Sequence, residues 1–94
     1  MTVSVKFIGS FRSLSGKNML ELRLEGSSSI RDVVKMIAEE LPKLEPVLID
    51  PESESPKTNV LVIVNGKEMS VLDSFETMIK DGDEVVFVPI VHGG

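Results

Sequence analysis

The residues best suited to do chemistry stand at the end of the sequence, "VPIVHGG" from Val88 to Gly94. Glycine loses more conformational freedom on ordering than any other residue, so a closing Gly-Gly adds nothing to a fold. What it offers is access. Gly93 and Gly94 have no Cβ, so the backbone there threads a slot too narrow for any side chain and delivers an unhindered α-carboxyl group. With a reference pKa of about 3.5 that group is anionic at neutral pH and a poor electrophile. Adenylation turns it into a mixed anhydride with a good leaving group. A sulfur donor then gives a thiocarboxylate, and a lysine amine gives an isopeptide bond. Five residues, Ile90, Val91, His92, Gly93 and Gly94, form a flexible tail after Pro89. Extended, they reach at most about 17 Å, enough to enter the active site of another protein. His92 reads as an exposed tail residue rather than a catalyst. The bland alternative is an inert terminus on an interaction module.

The rest of the composition narrows the chemistry. The chain has no cysteine and one histidine, which excludes disulfides, thiolate metal sites and a side-chain persulfide, and gives no expectation of a bound metal or cofactor. A thiocarboxylate would let such a protein carry sulfur all the same. Fifteen acidic against ten basic side chains leave a net charge of −5, which opposes direct binding to nucleic acid or an anionic membrane. No apolar run approaches the ~18 residues of a membrane span, and Met1 to Lys6 lacks the pattern of a signal peptide, so the expected location is cytoplasmic. An apolar share of 41% with 27% charged residues in 94 residues fits one folded domain, placed at 1–89.

The elements that must hold the tail can be read from periodicity. Val3, Val5 and Phe7 alternate with Ser4 and Lys6, and Leu20, Leu22 and Leu24 alternate with Glu21, Arg23 and Glu25. This period of two predicts two strands, joined as a hairpin by the turn-rich "GSFRSLSGK". Between Ser27 and Leu41 the spacing changes to threes and fours at Ile30, Val33, Val34, Ile37, Ala38 and Leu41, which predicts one helix about 18 Å long. Ser29 and Asp32 have the spacing of a capping box, and Pro42 stops the helix. An acidic loop is expected over about 43–58, with Val47, Leu48 and Ile49 tucked against the body. Val60 to Val64 reads as a buried strand leading into a tight Asn65–Gly66 turn and a short partner. Glu76 to Lys80 is expected to hold one helical turn, "DGD" at Asp81 to Asp83 a turn, and "EVVFVP" the last strand.

One helix covers only one face of such a sheet. On the last strand Val86 and Val88 point away from Val85 and Phe87, and on the first Ile8 is out of phase with Val3, Val5 and Phe7. These residues either gain cover from long side chains and loops or form a protein-docking face. Val88, one residue before the strand closes, favours docking, since a partner gripping this face would also receive the tail.

Three segments carry a family resemblance: "VKFIGSFRSLSGK" (Val5 to Lys17), "VLVIVNGKEM" (Val60 to Met69) and "MIKDGDEVVFVPIVHGG" (Met78 to Gly94). Together they resemble the small subunit of molybdopterin synthase and its relatives among the ubiquitin-like sulfur carriers. The most specific part is "DGDEV", followed after a short strand by Pro and a final Gly-Gly. The resemblance implies an α+β, ubiquitin-like β-grasp fold: a mixed sheet of four to five strands, first and last side by side, with one main helix packed on one face. It implies that Gly94 is adenylated by an ATP-using protein related to the ubiquitin activators and becomes the thiocarboxylate. Gly93, His92, Val91, Ile90 and Pro89 would then thread the partner's channel. It implies docking through Ile8 and Val88, with Glu68 at the same interface and Val86 added by strand phase, and a molybdopterin synthase large subunit that supplies the catalytic pocket, since the chain has no self-contained active site. The family's second proline is Ile90 here, Glu68 stands where an apolar residue is common, and His92 precedes Gly93 as in the ubiquitin-related modifiers that end in His-Gly-Gly. The alternative role is therefore a protein modifier joined to target lysines, or a carrier for tRNA thiolation.

Overall fold

The computed structural model describes residues 1–52, 55–57, 59–69 and 75–90. The chain runs β1 (Thr2–Phe7), α1 (Ser10–Ser15), β2 (Met19–Arg23), β3 (Ser28–Ser29), α2 (Ile30–Glu40), a 3-10 turn (Pro42–Leu44), α3 (Glu45–Leu48), β4 (Ile49–Asp50), β5 (Ser55–Pro56), β6 (Val60–Val64), β7 (Lys67–Met69), β8 (Met78–Ile79) and β9 (Glu84–Pro89). Five strands form one mixed sheet in the order β2-β1-β9-β6-β7. The first and last strands meet at its centre, where β1 and β9 are parallel and every other pair in the sheet is antiparallel. This is the ubiquitin-like β-grasp, with α2 as its main helix on one face.

The core lies between that face and α2. Val3, Val5 and Phe7 of β1, Leu22 of β2, Val60, Val62 and Val64 of β6, and Val85 and Phe87 of β9 all turn inward and are buried. Ile30, Val33, Val34 and Ile37 meet them from α2 with no exposed surface. Phe7 and Phe87 are register partners across the parallel pair, and their rings stack with centroids 6.4 Å apart. Each such side chain contributes roughly 1.5–3 kcal/mol by leaving water, so this layer carries the fold. The capping box on α2 is complete: Asp32 N–H donates to Ser29 Oγ at 3.2 Å, and Ser29 N–H donates to Asp32 Oδ2 at 3.0 Å. At the β6–β7 hairpin Asn65 and Gly66 hold φ of 50° and 82°, the paired positive values that a two-residue turn demands.

Three expectations need correction. The bridge between the first two strands holds helix α1, anchored by buried Phe11, where only turns were expected. Residues 76–80 form no helical turn. Met78–Ile79 extend and pair with Ser28–Ser29, burying Ile79 and exposing Met78. The cause lies at α2, whose first N–H groups have no partner within the helix. Ile30 N–H donates to Thr77 O at 3.1 Å and Arg31 N–H to Phe75 O at 3.0 Å, which draws that stretch out along the helix start. The described residues of the acidic segment are more than loop: Leu48 is buried as expected, but on helix α3, Leu44 is buried on the 3-10 turn, and β4 pairs with β5.

Candidate functional site

The helix covers one face of the sheet; the other is open to solvent, and register decides what stands there. One row runs Met19, Lys6, Val86, Ile63, Glu68 across all five strands, each residue the partner of the next. Beside it Val88 pairs with Leu61. Ile8 comes directly after the Phe7–Phe87 pair and donates its N–H to Phe87 O at 3.1 Å, which places it next in line on the same strand edge. Val86, Val88, Leu61 and Ile63 are half-buried, Ile8 is 46% exposed and Met19, at the sheet edge, 54%. The apolar strip is bordered by the Lys6–Glu84 ion pair, 3.0 Å long, and at the β7 end by exposed Glu68.

Ile8, Val86, Val88 and Glu68, which strand phase and resemblance singled out, thus share one face. Leu61, Ile63 and Met19 join them and were missed. Val60 to Val64 is apolar at every position, so it reads as buried throughout, whereas only Val60, Val62 and Val64 are. Its phase becomes legible only once it is paired with β9.

At one end of this strip β9 leaves the sheet. Pro89 is half-buried opposite Val60, and Ile90 donates its N–H to Asn59 O at 2.8 Å while its side chain stays exposed. Val91, His92, Gly93 and Gly94 lie outside the described residues. At the far end of β9 the chain is held in register by side chains. Asn65 donates to Asp83 Oδ1 and accepts from Glu84 N–H, both at 2.9 Å, and Asp81 accepts the Thr2 N–H at 2.7 Å. Among the described residues no cluster of His, Cys, Asp and Glu could hold a metal ion. No helix there is long and apolar enough to cross a membrane.

This geometry has close counterparts. The pattern of the ThiS family matches residues 5–94. Small archaeal modifier protein 3 of Haloferax volcanii is 32% identical over 94 residues, covering the whole of both chains. The ubiquitin-related modifier 1 homolog of Caenorhabditis elegans is 27% identical over 96 residues, covering 98% of this chain and 95% of its own. Among solved structures, a Pyrococcus furiosus protein assigned as molybdopterin converting factor, subunit 1, superposes with a TM-score of 0.78 at 28% identity, covering 97% of this chain and 99% of its own. A β-grasp body whose sequence keeps the family pattern through Gly94 places this chain in the ThiS family, among the ubiquitin-like sulfur carriers and modifiers.

Proposed function

We propose that this protein is a cytosolic sulfur carrier that works through the α-carboxylate of Gly94. The carboxylate attacks the α-phosphorus of ATP on an activating enzyme of the ubiquitin-activator type, forming the acyl adenylate and releasing pyrophosphate. Hydrosulfide then attacks the acyl carbon and expels AMP, which leaves a thiocarboxylate. ATP belongs to the activating enzyme; the carrier itself binds no cofactor. In a molybdopterin synthase this end would donate sulfur to a dithiolene precursor, and the large subunit would supply the pocket and the general acid and base. Gly93 and Gly94 provide the narrow gauge, His92 and Val91 span the channel, and Ile90 and Pro89 hold its mouth against the body.

One observation carries this reading: Val88 belongs to the open apolar face, and the next residue is Pro89, where β9 leaves the sheet. A partner that covers Ile8, Val86 and Val88 is therefore already placed to receive the residues beyond Ile90. Leu61 and Ile63 would extend that contact, and Glu68 would meet a basic group at its border.

A second reading is a modifier whose Gly94 ends on target lysines. It is favoured by the sequence His92-Gly93-Gly94 and by the two modifier relatives. Two incubations with ATP and the native activating enzyme, one with sulfide and one with a lysate of the protein's source, separate the two. The carrier gains the mass of one oxygen-to-sulfur exchange at Gly94. The modifier gives lysine-linked adducts in a lysate of its source. Neither product, with a competent activating enzyme, refutes both.

A further inference from the structure

The start of the tail is gripped on both sides, and one side of the grip tolerates only glycine. Gly9 comes after β1 and begins α1 with φ 60° and ψ −131°, a conformation that a Cβ makes strongly unfavourable. It cannot drift to a milder one. Ile8 before it is zipped to Phe87 O, and the Gly9 carbonyl accepts Arg12 N–H at 3.0 Å to start α1, which buried Phe11 fastens to the core. A Cβ at Gly9 would stand 3.2 Å from Pro89 Cγ and 3.6 Å from Cδ, so the pyrrolidine ring fills the space a side chain would take. On the other side Ile90 N–H is held by Asn59 O at 2.8 Å. Between these walls Pro89 adds its own restraint, since its ring fixes φ and removes the N–H that could shift to another partner.

We infer that Gly9 and Pro89 form a positioning pair that aims the chain as it leaves the sheet beside the open apolar face. The inference rests on the tail being the working part, as proposed above. Neither residue touches the reacting atoms. They act through Ile90 by limiting the directions in which the later residues depart, so that docking of the body and entry of the tail form one event. A shift here moves the point from which the tail must reach the channel, and misplacement on the ångström scale is costly to any transfer reaction.

The test is a double-mutant cycle of Gly9→Ala, Pro89→Ala and the pair, in the full chain. Three readouts are taken: hydrogen exchange at the Ile90 amide by NMR, the steady-state split of activation into kcat and KM, and the melting curve. Gly9→Ala is expected to speed Ile90 exchange about tenfold, with Val62 and Phe87 slowed or speeded only as far as global stability changes. It should lower kcat for adenylation about tenfold while KM for the protein stays within about twofold. In the Pro89→Ala background, where Cγ and Cδ are gone, the same substitution should do much less. Equal effects on Ile90 exchange and on kcat in both backgrounds, an unchanged Ile90 amide, or a kcat loss that merely tracks the unfolded fraction would each overturn the pairing, whereas the melting cost of a Cβ at φ 60° is expected in both. Should Gly9→Ala fail to fold, Pro89→Ala alone decides: faster Ile90 exchange and reduced kcat support the pair, and parent values refute it. If the parent is never activated, the proposed function falls by itself, while Ile90 exchange across the cycle still decides whether the grip exists.

Discussion

Placing an aspartate at position 8 should separate docking from folding. Ile8 sits on the open face with 46% of its surface exposed, so its removal leaves the core intact. Complete burial of an isoleucine stabilises by roughly 1.5–3 kcal/mol, so covering the half still open contributes about 1 kcal/mol to a complex. Ile8→Asp forfeits that and forces an unpaired carboxylate under the partner, at a cost of about 2 kcal/mol or more. The sum, about 3 kcal/mol, corresponds to a Kd for the activating enzyme weakened roughly a hundredfold. The free protein should lose no more than about 0.5–1 kcal/mol, because an exposed position carries little of the fold. Isothermal titration of variant and parent against that enzyme measures the first quantity, and urea unfolding the second. Glu39→Gln, on the exposed side of α2 and the opposite face of the molecule, is the control and should leave Kd within about twofold. Parent-like binding by Ile8→Asp would show that the partner docks elsewhere.

Other substitutions test the account of the body. Phe87→Ala removes a ring with no exposed surface that stacks on Phe7, and should cost about 3–5 kcal/mol, enough to leave much of so small a domain unfolded in a thermal melt. Ser29→Ala breaks the capping box and should lower unfolding free energy by about 1 kcal/mol in urea titration, without altering adenylation by more than the stability change explains. Asn65→Ala places an alanine at positive φ and deletes the bonds to Asp83 and Glu84, so about 1–3 kcal/mol should be lost by the same assay. Lys6→Met dissolves an ion pair whose members are both well exposed, and stability should move by less than about 0.5 kcal/mol.

Much of this architecture is written in local pattern. The two alternating runs, the threes and fours of α2, the Ser29–Asp32 cap and the Asn65–Gly66 turn each arise from interactions within a few residues, and the structure repeats them. What escaped was set by contacts distant in sequence. Glu76 to Lys80 has the local look of a helical turn, yet the carbonyls of Thr77 and of Phe75 just before it are taken up by the first N–H groups of α2, more than forty residues earlier in the chain. Leu44 sits among prolines and acids that read as loop, and its burial depends on where α2 ends, whereas the tuck of Leu48 against the body was legible as an apolar run. The open face was half legible. Ile8, Val86 and Val88 were visible from strand phase, but Leu61 and Ile63 needed the register of β6 against β9. Gly9 gave no local signal beyond being a glycine, because its neighbour is Pro89 at the other end of the chain.

Whether Gly94 supplies the reacting carboxyl is read most directly by ATP–pyrophosphate exchange on the native activating enzyme, which measures the adenylation step alone. The intact chain should support exchange, and a chain lacking Gly93 and Gly94 should reduce it to the enzyme's background while keeping the parent melting curve. Equal exchange with the shortened chain would contradict the account at its root.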